Sequence, residues 1–104
     1  MQAPRRHLAV EPGEKAHYRE AIAAVGLARY LEHAESLDGK RVLELGAGTA
    51  LVSLAAAALG ADAVATDIPA CVAGVTAPNI AANRGRLRGA CEARNEAGCC
   101  WHGP

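Results

Sequence analysis

One segment constrains this chain more than any other. Arg41-Val42-Leu43-Glu44-Leu45 is a short apolar run, opened by a charge and closed by glycine. Gly46-Ala47-Gly48-Thr49-Ala50 follows, then a Leu/Ala-rich stretch over residues 51–59 that ends at Gly60. Asp62-Ala63-Val64-Ala65-Thr66 comes next, with Asp67 at its end. The order strand, glycine loop, helix, strand is a βαβ unit, whose two strands run parallel. The continuous apolar character of residues 41–45 predicts a central parallel strand buried on both faces. The glycine after the Leu/Ala stretch is a helix stop signal.

The rest of the chain is arranged around that unit. Residues 1–15 carry Pro4, Pro12 and Gly13 without periodicity and read as a flexible lead-in. Tyr18, Ile22, Val25, Ala28 and Leu31 fall at helical spacing, so a helix is expected over residues 18–35. Asp38-Gly39 marks a turn. A second crossover helix is expected over residues 70–83, kinked or split by Gly74 and Pro78. Residues 90–94 form a candidate third strand, and residues 95–104 read as an irregular tail. The partial domain thus covers residues 16–94.

Composition narrows the function classes. At 104 residues the chain holds one domain. Alanine is heavily used and Phe is missing, so the core buries little area for its length. Formal charge is zero, which gives no basis for nucleic acid or an anionic membrane as partner. No apolar run is long enough to span a bilayer or follows Arg5-Arg6 as a signal peptide would, so an intracellular, cytoplasmic and soluble protein is expected. Cys71, Cys91, Cys99 and Cys100 form no CxxC pair, and with His102 they fit no zinc spacing; free thiols and no metal are expected. His7, His17, His33 and His102 are scattered and read as surface residues.

The glycine loop carries the chemistry. A parallel strand that ends in glycines brings backbone N–H groups and a helix N-terminus to one spot. Gly46 and Gly48 let a ligand approach the main chain. Glu44 adds a carboxylate, which suits a ligand bearing an ammonium better than a bare pyrophosphate. Asp67, about twenty residues on, sits where an acid accepts hydrogen bonds from ribose hydroxyls. Ile68 is placed to lie against an adenine. Three readings stand at this point: an S-adenosylmethionine (SAM) site, a nicotinamide site, and a turn that only joins strand to helix. The nicotinamide fingerprint G-x-G-x-x-G/A fails at Leu51, whereas G-x-G-x-G fits with Ala50 at its third glycine.

Leu27-Ala28-Arg29-Tyr30-Leu31-Glu32, then Gly39 through Thr49, then Thr66-Asp67, then Asn79-Ile80-Ala81-Ala82-Asn83 resemble the lysine-methyltransferase-like family, methyltransferase family 16. The resemblance runs over residues 27–83, about half the chain, and is most specific in residues 42–49. It implies an α/β, Rossmann-like SAM methyltransferase fold, SAM as methyl donor and a protein lysine or similar nitrogen as acceptor. Carried over by position, Glu44, Gly46, Ala47, Gly48 and Thr49 would hold the methionine end of SAM. Asp67 would hold the ribose, with Ile68 and Trp101 near the adenine. The sequence departs from the family at Ala50, at Ala21-Ile22 in place of a Trp-Asp pair, and at Pro78. A complete domain of this fold needs about twice as many residues. The expectation is therefore an incomplete fold carrying the SAM-binding half, with the acceptor pocket missing. The alternative is a non-catalytic remnant that pairs with a partner or with itself through an open edge at residues 42–45.

Overall fold

The computed structural model describes residues 18–33 and 36–95. The expected lead-in, the tail beyond Asn95, Trp101 and the Ala21 and Ile22 side chains lie outside the described residues. A 16-residue helix α1 (Tyr18–His33) precedes strand β1 (Arg41–Leu45), helix α2 (Leu51–Ala58) and strand β2 (Asp62–Asp67). The second crossover has three consecutive pieces: α3 (Pro69–Cys71), a π-helical turn (Val72–Thr76) and α4 (Ala77–Asn83). A short 3-10 turn (Arg84–Arg86) leads into strand β3 (Cys91–Asn95). Asn95, assigned to the tail from sequence, pairs with Asp67 as the last residue of β3.

The sheet order is β1-β2-β3 and both pairings are parallel. Leu45 pairs with Thr66, and Asp67 with Asn95, so the three strand C-termini end along one edge. The glycine loop leaves from that edge.

Register and side-chain alternation decide which residues form the core. Ala63, Ala65 and Cys91 face Leu54, Ala57 and Ile80, with Val42, Leu87 and Ala93 packed against them. The opposite face carries Leu43 and Leu45, which are 65% and 74% exposed. This corrects the reading of residues 41–45 as buried on both faces. An apolar parallel strand expects cover on both sides. Here α2 and α4 meet the same core cluster, so the described residues cover one face only.

The helices follow from local chemistry. Residues 52–57 of α2 are all buried, and alanine lets the helix lie close to the sheet. The helix ends in a Schellman motif. The Ala61 N–H donates to Ala56 O and the Gly60 N–H to Ala57 O, with Gly60 at φ 105°. Helix α1 packs on α2, and its Ala28 is buried. In the second crossover, Pro78 has no N–H to donate to the carbonyl one turn back. The helix accommodates this by widening just upstream, where the Ala77 N–H reaches back five residues to Val72 O. The result is a π turn between two α-helical pieces.

Four of the six largest fully buried side chains are polar: Ser53, Thr66, Thr76 and Asn83. No buried side-chain N or O among the described residues lacks a hydrogen-bond partner. Two of these four bond Glu44 on β1 and a third bonds Gly48 in the glycine loop, which gathers buried polar groups around the C-terminal end of β1.

Candidate functional site

The loop between β1 and α2 alternates in backbone hand. Gly46 has φ 64°, Gly48 φ 53° and Ala50 φ 67°, with right-handed φ between them. Among the described residues, nothing lies within 4 Å of a Cβ built on Gly46 or Gly48. The two glycines therefore border open space that any other residue would partly fill. Ala50 is the N-cap of α2 in the left-handed region, where an L-residue is strained by roughly 1–2 kcal/mol. It is fully buried in the core cluster, so its methyl group packs inward and does not crowd the loop.

The peptide groups of the loop are held from several sides. The Ala47 N–H donates to Thr66 O at 2.8 Å, which extends the β1–β2 ladder past the end of the strand. The Ala50 N–H closes a turn onto Ala47 O at 2.9 Å. Thr66 Oγ1 donates to Glu44 O at 2.7 Å.

Two carboxylates converge here. Asp67 Oδ2 accepts the Gly48 N–H at 2.8 Å, and Oδ1 accepts the Ile68 N–H at 2.7 Å. Glu44, half-buried on β1, accepts through one oxygen from both Ser53 N (3.2 Å) and Ser53 Oγ (2.7 Å). It thus caps the third residue of α2, a task that Ala50 has no side chain to perform. Burial pushes the Glu44 carboxyl above its ordinary 4.5; the Ser53 bonds pull it back, and the nearby Asp67 charge adds to the rise.

The sequence-derived site residues separate as follows. Glu44, Gly46, Ala47, Gly48, Thr49 and Asp67 meet at one sheet edge. Ile68 follows at the start of α3, 63% exposed. Ala47 is buried in the core cluster and contributes through its backbone. Sequence reasoning missed Ser53, Thr66, Thr76 and, as a contact, Asn79. Thr76 Oγ1 donates to Gly48 O at 2.6 Å, and Asn79 Nδ2 donates to Thr49 O at 3.0 Å. The Asn79-to-Asn83 match was the one sequence signal in that helix; nothing in the sequence marked Thr76.

Chemically, the site pairs two acids with a backbone cradle. The Gly48 N–H, the kind of group a glycine loop offers to a phosphate, is already bonded to Asp67. A pyrophosphate would meet that carboxylate. A ligand with hydroxyl donors and a cationic group is better matched.

Comparison with known proteins bears on the family and the fold. A family model described as lysine methyltransferase matches residues 16–95. Protein N-lysine methyltransferase METTL21A of Danio rerio is 56% identical over 46 residues, which is 43% of this chain and 21% of that protein. Among solved structures, one described as "a putative RNA methyltransferase PH1948 from Pyrococcus horikoshii" superposes with a TM-score of 0.55 at 23% identity. That match covers 78% of this chain and 38% of the other and bears on the fold alone. The chain spans well under half the length of these relatives. The parallel sheet and its helices are a Rossmann-like methyltransferase fold in part, and the chain belongs to the lysine methyltransferase family.

Proposed function

We propose that this chain binds S-adenosylmethionine at the β1–α2 loop and carries the cofactor half of a protein lysine N-methyltransferase. The observation that carries this reading is the Asp67 carboxylate seated on the Gly48 N–H, beside the open volume at Gly46 and Gly48. That arrangement favours a nucleoside without phosphates over a dinucleotide. Residues fit the cofactor at both ends. The Glu44 oxygen not engaged by Ser53 would take the methionine ammonium, with Gly46, Ala47, Gly48 and Thr49 contributing backbone. The Asp67 carboxylate would accept the ribose hydroxyls, and exposed Ile68 would cover an adenine face. The resemblance adds Trp101, outside the described residues, to the adenine end.

When bound, the cofactor supplies a methyl group on a sulfonium. The chain's own residues bind and orient it. Transfer further requires an acceptor nitrogen held in line with that methyl, and we assign that task to residues beyond those of this site. The acceptor proposed is a protein lysine, by likeness to the Danio rerio protein. Free thiols at Cys71 and Cys91 suit a reducing, cytoplasmic setting. Among the described residues no helix is long and apolar enough to cross a membrane.

Calorimetric titration with S-adenosylhomocysteine tests the cofactor reading. Micromolar binding that is lost in Asp67→Ala and weakened in Asp67→Asn is expected. A folded chain that binds nothing at millimolar ligand contradicts it.

A second reading is favoured by the exposed Leu43 and Leu45 at the sheet edge. On this reading the chain pairs with a partner, or with itself, through β1. Light scattering after size exclusion decides it. Association abolished by Leu43→Lys with Leu45→Lys supports it, and a monomer at high concentration removes it.

A further inference from the structure

We propose that Thr76 and Asn79 are positioning residues for the cofactor site, holding the glycine loop in its binding shape from the second crossover helix; this rests on the cofactor reading above. Thr76 is fully buried and Asn79 is 4% exposed, so neither is built to touch a ligand in solvent. Each instead bonds a carbonyl of the loop. The Gly48 residue is gripped at both ends: its N–H by Asp67 at 2.8 Å, its C=O by Thr76 at 2.6 Å. The next carbonyl, Thr49 O, is held by Asn79 at 3.0 Å.

A buried threonine in a helix usually satisfies its hydroxyl on a carbonyl of its own preceding turn. That bond is present here, to Cys71 O, but at 3.4 Å it is the poorer of the two. The short bond crosses between elements to Gly48, 28 residues away in sequence. Thr76 closes the π turn, whose extra residue per turn re-aims the side chains that follow it. Pro78, which has no N–H to donate one turn back, lies two residues beyond Thr76 at the start of the next helix.

The need for a clamp follows from glycine. Gly48 at φ 53° has as ready access to negative φ as to positive. Without the Thr76 bond the loop samples both, and a ligand must order it on binding. Ordering one backbone residue at that stage weakens affinity by roughly ten-fold.

The test uses the whole chain and three variants: Thr76→Val, Thr76→Ser and Asn79→Ala. The readouts are S-adenosylhomocysteine affinity by calorimetry and the amide resonances of Gly48 and Thr49, recorded where each variant is folded. Thr76→Val is expected to weaken binding roughly ten-fold and to broaden or shift the Gly48 amide. Thr76→Ser keeps the hydroxyl and is expected to stay within about two-fold. A folded Thr76→Val with wild-type affinity overturns the proposal. If Thr76→Val does not fold, Asn79→Ala carries the decision: weakened binding supports the proposal and unchanged binding overturns it. A wild-type chain that binds nothing overturns the cofactor reading and this one together. Wild-type binding that the variants share overturns this one alone.

Discussion

Replacing Gly48 with Ala separates a ligand site from a mere turn. Among the described residues nothing lies within 4 Å of the added Cβ, so the substitution meets no collision there. Its effect on stability comes from conformation alone. Holding an alanine at φ 53° costs about 1–2 kcal/mol. The unfolded chain loses freedom, which offsets about 0.4–1 kcal/mol. The net destabilisation is about 1 kcal/mol, read from the denaturant midpoint. Gly39→Ala is the matched control, since Gly39 has φ 75°, nothing within 4 Å among the described residues, and a place in the turn before β1. Its loss of stability should be similar. The two differ in ligand binding. A methyl group forced against a bound ligand costs about 1–3 kcal/mol, or roughly 5- to 150-fold in affinity. Calorimetry with S-adenosylhomocysteine should show that loss in Gly48→Ala and none in Gly39→Ala. Equal affinity in both variants refutes the assignment of the open volume to a ligand. A destabilisation several-fold larger in Gly48→Ala refutes the conformational argument.

Three other outcomes follow from the site and the core. Glu44→Gln keeps an acceptor for Ser53 and removes a half-buried charge, so at pH 7 it should be at least as stable as wild type while binding cofactor more weakly. Because the Glu44 carboxyl lies above 4.5 in the fold, wild-type stability relative to Glu44→Gln should be greatest below pH 4.5 and fall as pH rises just past it; paired denaturant titrations at pH 4 and 7 check the sign. Ala50→Gly trades relief of left-handed strain (about 1–2 kcal/mol) against a buried methyl (about 0.8 kcal/mol) and added unfolded-state entropy, so its midpoint should move by less than about 1 kcal/mol. A helical Ala50 would instead make that substitution clearly destabilising. The Cys91 thiol is pushed up to about 11, chiefly by burial, so peptide-level labelling at pH 8 should find it unreactive until the chain unfolds.

Much of this molecule was legible in its residues. Residues 41–67 announced a βαβ unit because glycine, apolar run and acid fall in an order that few other folds use. The place of Asp67 beside the loop was legible from position alone, since the end of the second parallel strand lies next to the first loop in such a unit. What stayed hidden depends on contacts far apart in sequence. The apolar run of β1 says that it suits burial, but only the packing of α2 and α4 on one side shows Leu43 and Leu45 exposed. Glu44 read as a ligand group, yet one of its oxygens serves Ser53 nine residues on. Ala50 read as a departure from the glycine pattern; it takes a left-handed conformation and places its methyl in the core. Thr76 looked like an ordinary helix residue, because its partner is Gly48 on another element. Pro78 read as a break in a helix and lies just after the π turn that ends at Thr76.

The central claim is that the glycine loop and Asp67 form a cofactor site. Amide spectra of the isotopically labelled chain during titration with S-adenosylhomocysteine test it most directly. Saturable shifts are expected at Gly46, Gly48, Thr49, Asp67 and Ile68, with Leu43 and Leu45 side-chain methyls on the far face of the sheet unmoved. Shifts that saturate elsewhere, or a folded chain whose loop amides stay in place at millimolar ligand, contradict it.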